Sequence, residues 1–300
     1  MSTIKTINAI HPSGSITNIV MDASGNVAVG GTSLTVAGTA AIAVAPGTSG
    51  NVLTSTGTAW ASTTPSSAKA ANVQTFLSSG TWTKPTGYGA NSQVHIQCWG
   101  GGGSGNKVSS AGVGGGGGGY NDRWISLSSL GSTETATVGA GGIAVSTSTG
   151  NTGGTTSLGT WCSAFGGGPG TTSDSPGGGG GQLSAGIAFL SGNPQVAANG
   201  SQNQGYGGSS FGVDAFILGG GGGDPSSPGF KSVWGGGGGG GYAAGAGGVS
   251  SFGGNGGAGV SASSGIAGTQ PGGGGGGTST GTVSGAGAAG QIIITVFGGA

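Results

Sequence analysis

Two cysteines, two histidines and six acidic residues are the groups in this 300-residue chain that could support metal, nucleophilic or acid–base chemistry, and they are scattered. Zinc needs clustered His and Cys, whereas Cys98 and Cys162 stand far apart and His11 and His95 are the only histidines. Each cysteine reads as a small buried hydrophobe, as half of a mutual disulfide, or as a reactive thiol; no cationic neighbour in sequence would lower either pKa. His95 lies in an alternating segment and reads as a partly exposed strand residue. Asp122 beside Arg123 reads as a surface pair. Asp174, Asp214 and Asp224 stand alone, whereas calcium-binding glycine repeats need regularly placed Asp. The nearest approach to a phosphate loop, Gly105-Asn106-Lys107-Val108, lacks the Gly-Lys-Ser/Thr that opens a helix. Rossmann-like glycine spacings occur, but none opens a helix with an acidic residue downstream. No Ser-His-Asp set can be argued, and a glycosidase carboxylate pair is unsupported. The sequence therefore predicts no catalytic, cofactor or metal site, and a protein that is not an enzyme.

What must be explained instead is glycine. It accounts for 82 residues, and six long runs cover 100–103, 114–119, 177–181, 219–223, 235–241 and 272–277. Each glycine costs roughly 0.5–1 kcal/mol of ordering relative to Ala. Disordered chains are usually charged and poor in aromatics. This chain carries six Trp, four Tyr and eight Phe beside only six basic and six acidic residues, so order is expected. The net charge is zero with no basic patch, which argues against nucleic-acid binding. The longest apolar runs are only a few residues, so membrane insertion is not expected. Residues 1–10 lack the apolar core of a signal peptide, which predicts synthesis in a cytosol and release by another route.

Residues 1–64 read as a β-rich arm of short strands and turns. Ile16, Ile19, Val20, Val27 and Val29 flank the turn formers Asp22-Ala23-Ser24-Gly25-Asn26. Residues 33–36 and 42–44 form a second unit, and residues 51–53 and 59–62 flank a hairpin turn at Ser55-Thr56-Gly57-Thr58. Hairpins this small are marginal alone, so the arm is expected to oligomerise or remain weakly structured. Residues 65–72 read as a linker. Residues 73–300 then form a glycine-rich domain. Within it, 73–77 and 81–83 are strand-like, and 93–99 alternates cleanly, with Val94, Ile96 and Cys98 opposed to His95, Gln97 and Trp99. Residues 291–297 are apolar on both faces and read as a strand buried on both sides. Because domain ends usually lie close together, strands 93–99 and 291–297 are expected to share a sheet that closes the domain.

Helix is poor for glycine runs by about 1 kcal/mol per residue, and strands without side chains give a sheet nothing to pack. The extended helix with three residues per turn is left. Packed side by side, such segments would bond to neighbours in three directions and leave no buried backbone group unpaired. The predicted fold is thus mainly β and irregular: a short N-terminal β arm, then packed polyglycine II helices closed by β-strands. A short element recurs at Gly154-Thr155-Thr156-Ser157-Leu158-Gly159, Gly207-Gly208-Ser209-Ser210-Phe211-Gly212 and Gly248-Val249-Ser250-Ser251-Phe252-Gly253. An aromatic directly follows a run at Tyr120 and Tyr242.

The segment Ser79-Gly80-Thr81-Trp82-Thr83-Lys84-Pro85, followed by Val94-His95-Ile96-Gln97-Cys98-Trp99-Gly100-Gly101-Gly102-Gly103, resembles the start of the glycine-rich domain of bacteriophage tail-fibre and adhesin proteins. The middle, with Thr137-Val138-Gly139-Ala140-Gly141-Gly142, and the closing Gly290-Gln291-Ile292-Ile293-Ile294-Thr295-Val296 are similar as well, so that the resemblance spans about 73–297. Residues 16–29 and 50–62 resemble short modules of phage structural proteins. The resemblance implies a virion fibre or receptor-binding role, polyglycine segments packed in layers, loops that contact the host surface, and a homotrimer. It supplies no catalytic residues. Residues 1–64 would join other tail or capsid proteins, and the partner at the far side would be a host surface glycan or outer-membrane protein. The expected contact loops are 143–152, 182–204 and 224–234. Tyr206, Phe230 and Trp234 are candidates to stack on sugars or, alternatively, to cover the ends of the glycine bundle. A purely structural virion protein (fibre shaft or capsid decoration) and an ice-binding or silk-like protein are the other readings.

Overall fold

The computed structural model describes residues 8–10, 16–21, 27–29, 35–36, 39–40, 49–55, 60–64, 69–171, 175–187, 218–243 and 245–298. They fall into two compact units, Met1–Ser67 and Ala68–Ala300. In the first unit, β1 (Asn8–Ile10), β2 (Ile16–Met21) and β3 (Val27–Val29) form an antiparallel sheet in that order. β4 (Thr35–Val36) pairs with β5 (Thr39–Ala40). The expected turn at 22–26 and strand at 42–44 lie outside the described residues. β6 (Val52–Ser55) and β7 (Trp60–Thr63) form the expected hairpin, in register from Val52↔Thr63 to Ser55↔Trp60. Asn51 Nδ2 donates to Ser62 Oγ across it at 3.1 Å.

In the second unit, eight strands make two four-stranded sheets. β8 (Asn72–Phe76), β10 (Gln93–Trp99), β11 (Tyr120–Ser126) and β15 (Gln291–Phe297) form one, in the order β11-β10-β15-β8. β9 (Gly80–Thr83), β12 (Thr133–Thr137), β13 (Thr156–Leu158) and β14 (Cys162–Ala164) form the other, in the order β14-β13-β12-β9. The expected closure is present: β10 and β15 run antiparallel from Gln93↔Phe297 to Trp99↔Gln291. Alternation puts Val94, Ile96 and Cys98 with Ile292, Ile294 and Val296 on one face, where they bury against Trp82, Ala136, Leu158, Cys162 and Ala164 of the second sheet. Both cysteines are buried here as free thiols.

Burial of residues 291–297 on both sides is not what forms. Ile293 and Thr295 are half-buried and Phe297 is exposed. The reason is cross-strand: Ile293 stands opposite Gln97 and Thr295 opposite His95. The outer face is therefore mixed: Ile293 is partly covered by the Trp99–Tyr120–Leu218 cluster, while Phe297 stacks on Trp124 and stays exposed.

Between the sheets' strands run the glycine segments, and their backbone bonding has a period of three. Gly114 and Gly117 donate to Gly223 and Gly220, Gly115 and Gly118 to Gly275 and Gly272, and Gly116 and Gly119 to Gly168 and Phe165. The same segment accepts from Gly103 and Gly100, from Gly177 and Gly180, and from Gly239 and Gly236. Six neighbouring segments thus surround one chain. Segments 100–106, 236–241 and 272–277 have the same sixfold surroundings.

This crowding explains the composition. A Cβ on any residue from Gly114 to Gly119 would come closer than 3.0 Å to a neighbouring backbone carbonyl. Positive φ is not the cause, because Gly272 alone of the described residues in the six long runs adopts it. Glycine is required here for close approach, not for an unusual dihedral. On peripheral segments the constraint relaxes at every third residue. Ala140, Ile143 and Ser146 are exposed, as are Ala243, Ala246, Val249 and Phe252, while glycines between them turn inward. No α-helix occurs among the described residues.

Candidate functional site

The lattice has two chemically different ends. At the end that joins the sheets, Gly100 donates to Gly119 and Gly236 to Gly118, so the residues flanking these runs are brought together. They are Trp99 before 100, Tyr120 after 119, Leu218 before 219 and Trp234 before 235. Trp99, Tyr120 and Leu218 are buried as one cluster, with Trp234 and Ile293 packed on it. Trp99 and Tyr120 have ring centroids 5.0 Å apart, Tyr120 stacks on Trp234 at 5.4 Å, and Trp234 stacks on Phe252 at 4.2 Å. Trp99 Nε1 donates to the Trp234 carbonyl at 2.7 Å, and Gln97 Nε2 to the Tyr120 hydroxyl at 3.0 Å. Burial raises the Tyr120 pKa above its ordinary value, against the opposing effect of that Gln97 bond. The column is an apolar cap over the run ends, and Phe252, 56% exposed, is its outermost ring.

Beside it, on the outer sheet face, His95 stacks on Trp124 at 4.3 Å and its Nε2 lies 2.9 Å from Asp122 Oδ2. Asp122 and Arg123 therefore do not pair with each other. Adjacent strand residues point to opposite faces, and Arg123 Nη1 instead donates to the Trp161 carbonyl at 2.9 Å.

At the opposite end the chemistry is polar. Asn106 donates its N–H to Val113, Gly114 to Gly223, and Tyr242 to Gly112, which gathers the connectors between the runs. Lys107 bridges to both Ser148 and Thr278, and Thr278 also to Val260. The buried Asn106 side chain stands in for a further backbone segment: its Oδ1 accepts from Val113 N at 2.7 Å and its Nδ2 donates to the Thr171 carbonyl. Thr278 Oγ1 and Ser279 Oγ donate to the Ser263 and Ser261 carbonyls at 2.7 and 2.9 Å. Lys107 Nζ reaches the Thr282 carbonyl at 3.3 Å, and Asp224 Oδ1 accepts from Ser226 N at 3.0 Å. Ser148 sits at φ 52°, the one described residue other than glycine with positive φ. Such backbone is held only where its surroundings over-determine it, and it concentrates at ligand-contacting sites.

The sequence candidates fall in three places. Trp234 is half-buried inside the aromatic column. Phe230 lies along the lattice, its N–H donated to Gly221 and its carbonyl accepting from Gly238. Tyr206 lies outside the described residues, as does 188–204 of the expected loop 182–204. Loops 143–152 and 224–234 each contribute to the polar end, through Ser148 and Asp224. Sequence reasoning missed Lys107, Tyr242 and the 278–284 connector as parts of one surface. A usable signal was that each follows or interrupts a glycine run.

Among the described residues no group of His, Cys, Asp and Glu could hold a metal ion, and no helix is long and apolar enough to cross a membrane. The architecture is that of a glycine-rich backbone lattice closed by antiparallel β-sheets. Residues 70–297 match the family model described as a glycine-rich domain, and the chain belongs to that family. No curated protein matches the chain.

Proposed function

We propose that the chain is a virion fibre protein and receptor-binding adhesin, whose glycine runs are polyglycine II helices and whose polar end contacts the host surface. The helix assignment is supported by the three-residue period of the bonding, since a three-per-turn helix directs successive N–H groups about 120° apart. The observation that carries the functional reading is convergence: Lys107, Ser148, Asp224, Tyr242 and the exposed Thr280 and Thr282 gather at the end away from the sheets. An interior built of backbone alone leaves all variable chemistry to the connectors, and a rigid scaffold with variable loops is how recognition surfaces are commonly made.

A hydroxyl-rich surface with one amine, one carboxylate and one phenol suits a glycan or the polar loops of an outer-membrane protein. The first unit would join other tail or capsid components and assemble as a homotrimer. The small hairpin supports this, because Val52 and Leu53 stay 45% and 43% exposed and would gain cover from further copies.

Binding of the purified full chain to a panel of bacterial cells tests the reading. Binding competed by isolated surface polysaccharide or outer-membrane protein is expected; absence of binding to every strain counts against adhesion. Labelling the protein in the particle separates a fibre tip from a shaft or capsid decoration.

A further inference from the structure

The chain holds only two cysteines among 300 residues, and the fold brings them from 64 positions apart to one point between the two sheets. Cys98 lies on β10 directly opposite Asn121 of β11. The Cys162 thiol, on β14, approaches the carbonyl of that same Asn121 at 3.6 Å, and the Cys98 thiol approaches the Cys162 carbonyl at 4.0 Å. Both side chains belong to one core cluster, 0% and 3% exposed. Packing alone does not require this coincidence, since small apolar residues such as Ala136 and Ala164 fill the same layer.

We infer that Cys98 and Cys162 are a redox modification site, at which a small-molecule disulfide installs a covalent bond between the two sheets. The exchange balances without a further reactant. The Cys162 thiolate attacks one sulfur of the small disulfide, that S–S bond breaks, and one thiol leaves with the proton that Cys162 gave up. The Cys98 thiolate then attacks the Cys162 sulfur, the mixed disulfide breaks, and the second thiol leaves with the remaining proton. Two electrons pass from the protein to the oxidant. Cys162 is the group that opens first, because β14 is a three-residue strand at the edge of its sheet, and short edge elements open at least cost. The bond would tie β10, which leads into run 100–103, to β14, which leads into 166–168, and so lock the two sheets where the lattice begins. A protein made in a reducing cytosol and released to oxidising surroundings would acquire it after release.

The full chain, purified with reductant, is incubated with excess oxidised glutathione, quenched in acid, denatured, alkylated and mapped by mass spectrometry. A cross-linked peptide pair containing Cys98 and Cys162, with loss of both alkylation sites, is expected, together with a rise in Tm on the order of 10 °C that reductant reverses. Cys162→Ala should retain its Tm under both conditions. Two alkylated thiols after oxidation of the native chain and after refolding with oxidised glutathione would overturn the proposal. So would glutathione adducts without the cross-link. These outcomes concern the sheets alone, so they leave the cell-binding reading to its own test.

Discussion

The Cα of Gly117 faces the carbonyl of Gly236 so closely that a Cβ would stand closer than 3.0 Å to its oxygen. The obstacle is backbone on a segment that is itself held by six neighbours, so it cannot yield. Gly117→Ala is therefore expected to destabilise the second unit by roughly 4 kcal/mol or more, or to prevent its folding. Gly89→Ala meets nothing within 4 Å and has no positive φ; it should stay within about 0.5 kcal/mol of the parent. Denaturant unfolding of the two variants makes the comparison.

The frame of this fold was legible and its interior wiring was not. Strands 93–99 and 291–297 can be found from their apolar patterns and paired because domain ends lie close together, and strands 52–55 and 60–63 pair because turn-forming residue types interrupt two short runs. The partner of Gly117, by contrast, is invisible in sequence. Every residue in a glycine run is alike, so no side chain distinguishes Gly220 from Gly275 as an acceptor. The recurring Gly-Ser-Ser-Phe-like element misleads in another way. In its first copy Leu158 is buried in the sandwich core, whereas in the third Phe252 is exposed on a stacked column. The second copy lies outside the described residues. Adjacency in sequence suggests that Asp122 pairs with Arg123, but strand geometry sends them to opposite faces, to His95 and to the Trp161 carbonyl. The polar end escaped because its members are up to 175 residues apart, as in the Lys107–Thr282 bond.

Among the described residues Trp82 carries the largest fully buried side chain, and its Nε1 has no hydrogen-bond partner there. An orphaned buried donor costs about 1–3 kcal/mol, which Trp82→Phe would recover while losing part of the ring. The two effects oppose, and a net change within about 1 kcal/mol is expected. Trp82→Ala should lose about 3–5 kcal/mol. A phenylalanine variant as unstable as the alanine one would show that the indole N–H is satisfied in solution.

Stability should fall at alkaline pH through two buried acids. The Cys98 thiol is raised by its hydrogen bond to the Cys162 side chain and then by burial, and the Tyr120 phenol is raised by burial. Each is thus more readily protonated in the folded chain than in the unfolded one. The folded state then binds more protons, so stability is fully present below the ordinary values of 9.0 and 10.0 and declines as pH rises past them. Unfolding measured from pH 7 to 11 should show this decline under reducing conditions. Tyr120→Phe should flatten the part that begins near pH 10, and a profile identical to the parent's would remove Tyr120 from the account.

The two ends of the lattice should separate stability from recognition. Trp234 lies between Tyr120 and Phe252, with its carbonyl bonded to Trp99. Trp234→Ala is expected to lower stability by roughly 3 kcal/mol. Lys107 and Tyr242 belong to the polar end, where Lys107 Nζ reaches the exposed Thr282 carbonyl and the Tyr242 N–H donates to Gly112. Their alanine variants should unfold within about 0.5 kcal/mol of the parent yet weaken cell binding on the order of tenfold each, the loss of about 1.4 kcal/mol. Ser148→Gly adds a discriminating arm. Glycine relieves the left-handed backbone, by roughly 1 kcal/mol, so it should raise stability while removing a hydroxyl from the surface. A Trp234 variant that folds normally but loses binding, beside Lys107 and Tyr242 variants that bind as the parent does, would place recognition at the aromatic end instead.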